Sequence, residues 1–108
     1  DRDSTAVETQ DFITAFEAMS GNKTDMVAAS AHTAIKVLAA ALQASGNADK
    51  AALRDAIART QLTASTGEIS FNGLGEVQKS VQVQVVKDGQ WHHHSVINDA
   101  ALLAPPTE

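Results

Sequence analysis

With 108 residues, 13 acidic against 8 basic side chains and a formal net charge of −5, the chain has room for one domain and no basic cluster to hold nucleic acid or an anionic membrane. The absence of cysteine excludes disulfides, thiolate zinc sites and cysteine nucleophiles. The apolar fraction is an ordinary 44%, but alanine supplies much of it and large apolar side chains are few, so a self-sufficient core is expected to be marginal.

The first half reads as helices, predicted over residues 6–20, 25–45 and 48–60. Thr5-Ala-Val-Glu8 has the capping-box form. Phe12, Ile13, Phe16 and Met19 then recur at helical spacing, and Gly21-Asn22 supplies a stop. A second helix is expected from Thr24 or Asp25 to Ser45. Val27, Ala31, Ile35, Leu38 and Leu42 form its apolar stripe, with Ala28, Ala34, Ala39 and Ala41 allowing close approach of a neighbour. Gly46-Asn47 closes it, and Asn47 is the expected cap of a third helix carrying Leu53 and Ile57 one turn apart.

Beyond Ser65 the period changes from helical to alternating. Ile69 and Phe71 alternate with Glu68 and Ser70, which predicts a strand over 67–71. Asn72-Gly-Leu-Gly75 is turn chemistry. Val81, Val83 and Val85 alternate with glutamine, Asp88-Gly89 is a hairpin turn, and residues 91–96 form the returning strand. Two registers are open. A two-residue loop sets Val85 opposite His92 and Val83 opposite His94. A three-residue loop sets Val85 opposite His93 and brings Trp91 and Ile97 to the valine face. Turn chemistry favours the first and burial the second. From Asn98 a tail with an apolar patch at 100–104 leads to Pro105-Pro106 and is expected to fray. No apolar run approaches the roughly 18 residues of a membrane helix, so no membrane span is expected.

Few residues carry candidate chemistry. His92 and His94 share a strand face and would supply two zinc ligands, with His32 a distant third, but no helical carboxylate–histidine spacing supports a metal site. A row of solvated imidazoles is the plainer reading, and neither a metal nor any other cofactor is expected. Gly67 to Gly75 lacks the Lys-Ser/Thr of a phosphate loop, and Ser65 and Ser70 stand in no nucleophile elbow. The acidic residues Glu8, Asp11, Glu17, Asp49 and Asp55 lie on helix surfaces, where solvation is the default. With no nucleophile, base and oxyanion donor in sight, an enzyme is not expected.

The order of motifs is more telling than any one of them. Asp11-Phe-Ile-Thr-Ala-Phe-Glu-Ala18 precedes a Gly-Asn break. Met26-Val-Ala-Ala-Ser-Ala-His-Thr-Ala-Ile-Lys-Val-Leu-Ala-Ala-Ala-Leu42 follows. Then come Ser45-Gly-Asn-Ala-Asp49, Ala52-Leu-Arg-Asp-Ala-Ile57, Ser65-Thr-Gly-Glu-Ile-Ser-Phe71 and Val83-Gln-Val-Val-Lys-Asp-Gly-Gln-Trp91. From about Phe12 to Trp91 this series resembles the C-terminal part of type I periplasmic solute-binding proteins, in the branched-chain amino-acid class of ABC importers. The chain departs from the family at Ala31-His32, where an aromatic and an acidic residue are usual, and at the three histidines after Trp91.

The resemblance implies an α/β protein of two lobes closing on a small solute, of which this chain is a C-terminal fragment. Residues 1–65 would be the helical part of one lobe, 66–97 the strand and hairpin of the closing region, and 98–108 the tail. It further implies an amino-acid-like solute, an ABC permease as partner, and a periplasmic or extracellular location reached through a signal upstream. The rest of the parent chain or a second copy would cover its open faces. Asp25 and Met26, ahead of the second helix, are the expected ligand-binding residues, since a helix N-terminus favours an anionic group. The alternative is a ligand-binding-like sensor or interaction module without transport.

Overall fold

A computed structural model describes residues 1–46 and 49–103. Three helices, α1 (Val7–Ser20), α2 (Met26–Ser45) and α3 (Lys50–Ala58), precede strands β1 (Leu62–Ala64), β2 (Gly67–Phe71), β3 (Val77–Gln78), β4 (Val81–Lys87) and β5 (Gln90–Ile97) and a short helix α4 (Ala100–Leu103). β1, β2 and β3 form one antiparallel sheet in that order, while β4 and β5 form a separate two-stranded sheet.

Helix ends follow local chemistry. Gly21 and Gly46 take left-handed angles, and their N–H groups donate to the carbonyls of Glu17 and Leu42. Asp25 caps α2, its Oδ1 accepting from the Ala28 N–H at 2.7 Å. The expected capping box does not form: α1 starts after Ala6, with no side-chain cap. Ser4 Oγ instead accepts from the Ala6 N–H, so the preceding turn takes the place of the cap. The cap of α3 is Asp49, whose Oδ1 accepts from Ala51 and Ala52; Asn47 lies outside the described residues. The tail is not wholly irregular as expected, because Asp99 Oδ1 accepts from the Ala101 N–H and starts α4. Ala104 and the two prolines lie outside the described residues.

The core is small. Val37, Ala64 and Ile69 are its buried centre, with Ile57, Leu62 and Phe71 packed around them, and α3 packs along α2. The face of α2 that turns inward is Thr33, Val37 and Ala41, not the expected stripe. Val27 is 68% exposed and Ile35 65%, while Leu38 and Leu42 also face outward. Periodicity identifies the more apolar face, but α3 and β1 pack on the small-residue face, where backbones approach closely. On α1, Phe12 is buried whereas Met19 is exposed. α2 is also long and apolar enough, by length and composition, to cross a membrane, with a mean hydropathy of 1.3, which corrects the expectation that no segment qualifies. Its Ala content raises the index, and its Thr33 and His32 hydrogen-bond within the fold.

The hairpin resolves its two registers by using both. Asp88 (φ 53°) and Gly89 (φ 73°) form the two-residue turn, so Lys87 pairs with Gln90, Val86 with Trp91 and Val85 with His92. A bulge then leaves His94 without a registered partner, and from Val83–Ser95 to Val81–Ile97 the strands follow the other register. Val83 therefore faces Ser95 rather than His94, and Trp91 does not join the valine face.

The molecule is thin and open. Its extents are 48 × 41 × 19 Å and its radius of gyration 15.7 Å, against about 13 Å for a compact chain of this length. Its accessible surface of 7897 Å² exceeds the roughly 5,700 Å² expected for 11.3 kDa.

Candidate functional site

The expected ligand-binding residues stand at the start of α2. Asp25 has extended backbone angles, and one carboxylate oxygen is committed to the Ala28 N–H. Met26 is 80% exposed. The N–H groups of Met26 and Val27 belong to the first turn, which a helix leaves without internal acceptors.

One to two turns further along α2 lies a polar junction that joins three elements. His32 Nδ1 is 3.0 Å from Ser65 Oγ, and Ser65 Oγ also reaches the Ala29 carbonyl at 3.4 Å. Thr33 Oγ1 meets Thr66 Oγ1 at 3.0 Å, and Thr9 Oγ1 of α1 donates to the Ser65 carbonyl at 3.1 Å. The Phe12 ring stacks on the His32 imidazole with centroids 4.5 Å apart. Thr9, Thr33 and Ser65 are all buried, and no buried side-chain nitrogen or oxygen among the described residues lacks a partner. The arrangement docks the β1–β2 turn against α1 and α2. His32 and Ser65 resemble a base and a nucleophile by distance alone. Ser65 is 4% exposed, and its hydroxyl is spent on α2, which suits a structural joint.

The structure does not bring the histidines together. His32 belongs to the junction, His92 faces Val85 across the hairpin, and His93 Nδ1 pairs with Asp1 Oδ2 at 2.9 Å. Among the described residues no group of three His, Asp or Glu side chains is placed to hold a metal.

Glu17 forms a second polar centre, at the α1–α2 turn. Its Oε1 accepts from Arg2 Nη1 at 2.7 Å and from the Thr24 N–H at 3.1 Å, and Lys23 Nζ lies 3.3 Å from Oε2. The Arg2 hydrogen bond, then the Thr24 N–H, hold its carboxyl down to about 2.

Two open grooves flank the sheet. One of about 860 Å³ runs between β1–β3 and α4, past Glu68, Lys79, Asn98 and Leu103. The other, about 330 Å³ and mostly apolar, lies between α2 and β2–β3, against Ala34, Val37, Phe71 and Val77. Neither includes Asp25 or Met26. Sequence reasoning overlooked Thr9 and Thr33; their signal was a hydroxyl set among the inward positions of a helix.

No family model matches the sequence, and no curated protein matches it. Solved structures do share the fold. A leucine-binding protein from Thermotoga maritima superposes with a TM-score of 0.82 at 24% identity, covering 93% of this chain and 29% of that one. An ABC transporter substrate-binding protein from Desulfitobacterium hafniense gives 0.79 at 25% identity, over 87% of this chain and 29% of the other. A solute-binding protein of an ABC transporter from R. palustris, in complex with benzoate, gives 0.77 at 23% identity, over 92% and 29%. The chain thus spans less than a third of the length of the proteins whose fold it shares.

Proposed function

We propose that this chain, which has the fold of type I periplasmic solute-binding proteins over most of its length, is part of the solute-binding component of an ABC importer. The observation that carries the reading is the superposition at a TM-score of 0.82 on a protein more than three times longer. The open surface agrees with it, since a chain with so small a core needs further polypeptide against α2 and the hairpin. In this reading residues 1–65 contribute to one lobe, 66–97 to the closing region and 98–108 to the tail. The protein is exported, works with a membrane permease and is not an enzyme.

The solute is small, amino-acid-like and bears a carboxylate. Leucine and benzoate, named for two of the structural neighbours, share a carboxylate on an apolar body. The first-turn N–H groups of Met26 and Val27 suit that carboxylate, and the Met26 side chain suits the apolar body. Asp25, with one oxygen engaged by Ala28, offers the other to an ammonium.

Calorimetry with leucine, isoleucine, valine and benzoate tests this. Solutes held between two lobes lose about half their contacts when one is absent, so the chain alone should bind each more weakly than about 1 mM. Fused to the complementary lobe of a relative, it should bind one of them in the micromolar range, and Asp25→Ala should weaken that binding about tenfold for an amino acid. Tight one-to-one binding by the chain alone would contradict the reading.

A further inference from the structure

The β4–β5 hairpin is flanked by two short connections, Lys79-Ser80 from β3 and Asn98-Asp99 to α4. It forms its own two-stranded sheet, with no strand pairing to β1–β3 among the described residues. Among the described residues, the one side-chain hydrogen bond or ion pair that links it to the rest of the chain is His93 Nδ1 to Asp1 Oδ2. Asp1 is held for this contact. Its Oδ1 accepts from the Asp3 N–H at 2.9 Å, its carbonyl accepts from the Ser4 N–H, and its side chain is only 11% exposed. The next residue points the other way: Arg2 reaches Glu17 on α1 and the Thr24 carbonyl ahead of α2. Gln10 Nε2 of α1 donates to the Arg2 and Ser4 carbonyls and fixes the segment on the helix.

We propose that residues 1–4 form a strap that seats the hairpin on the helical unit, with Asp1–His93 as its releasable clasp between the Lys79-Ser80 and Asn98-Asp99 connections. The strap is anchored at both of its own sides: Arg2 reaches Glu17 and the Thr24 carbonyl, and Gln10 of α1 donates to the Arg2 and Ser4 carbonyls. The clasp is one contact between a carboxylate that is 11% exposed and an imidazole on a strand whose other residues, all but Ile97, are exposed. Breaking it leaves the strap on α1 and frees only the hairpin. In the solute-binding reading this hairpin lies in the closing region, so the clasp would bias how that region sits.

Amide hydrogen exchange on the 108-residue chain, below the concentration at which it self-associates, tests the clasp without solute or permease, so its outcome is independent of the transport reading. Asp1→Asn keeps the acceptor for the Asp3 N–H, and His93→Ala removes the partner. Each should speed exchange across residues 81–97 about three- to tenfold and leave α2 amides unchanged, and the double variant should be no faster than either alone. Unchanged hairpin exchange in both single variants would overturn the proposal. So would additive effects in the double variant, or acceleration spread equally over α2.

Discussion

The α2–β1–β2 junction and the β4–β5 hairpin are both rich in β-branched and apolar residues, yet they meet opposite fates. At the junction, Val37, Ala64 and Ile69 bury one another, and a seam of hydroxyls and one imidazole fixes the turn beside them. In the hairpin, Val81, Val85, Val86, Trp91 and Val96 are all exposed, although every strand residue but His94 has its registered partner. Backbone pairing therefore does not by itself create a core. A two-stranded ribbon needs a helix or a further sheet against one face. Here only Val83 and Ile97 are half-buried, while Asp1–His93 is the one side-chain hydrogen bond or ion pair to the rest of the described residues.

The sharpest way to break the contrast is to cut one side chain from each region. Ile69→Ala removes a residue that is 4% exposed at the centre of the core and should destabilise the helical unit by about 3 kcal/mol. Val85→Ala, at a residue that is 46% exposed, should cost below about 1 kcal/mol. Urea titration followed by circular dichroism at 222 nm reads both. Equal effects would mean that the hairpin shares the core.

The polar seam gives a smaller effect. Ser65→Ala removes the partner of His32 Nδ1 and one bond to the Ala29 carbonyl, and should cost about 1–2 kcal/mol. Side-chain NMR should then show the His32 ring turning more freely beside Phe12. An unchanged stability would mean that the Thr9 and Thr33–Thr66 bonds hold the turn unaided.

The smallest effect lies in acid. Glu17 titrates near 2 when folded, against an ordinary 4.5, because Arg2, the Thr24 N–H and Lys23 favour its charged form. Its stabilising contribution is therefore complete above about pH 4.5 and is lost as pH falls from there towards 2. Glu17→Gln should abolish that part of the acid dependence, seen as a flatter melting temperature between pH 5 and 2.5. At neutral pH the change should be slight, since the site is solvated.

What the sequence revealed and what it hid divide along the same line. Gly21, Gly46, Asp25 and the Asp88-Gly89 turn were legible, because left-handed caps, carboxylate caps and tight turns are decided by neighbours a few residues away. The strand Gly67–Phe71 was legible from its alternation. β1 and β3, of three and two residues, are too short to alternate and exist only through pairing with β2. The inward face of α2 was misjudged because periodicity cannot say which neighbours are present. Asp25 and Met26, the proposed ligand-binding residues, were locatable as a helix start. The Thr9–Ser65 and Thr33–Thr66 bonds span 56 and 33 residues and leave no local trace.

Sedimentation velocity at micromolar concentration, paired with thermal melting, tests most directly that these residues are part of a larger binding protein. The outward faces of α2 and the hairpin leave Val27, Ile35, Val86 and Trp91 exposed, and large exposed apolar patches usually find a partner. The account predicts self-association and a broad, weakly cooperative melt that sharpens when a complementary lobe is supplied. A clean monomer with a sharp cooperative melt would contradict it, by showing that the 108 residues close their own core.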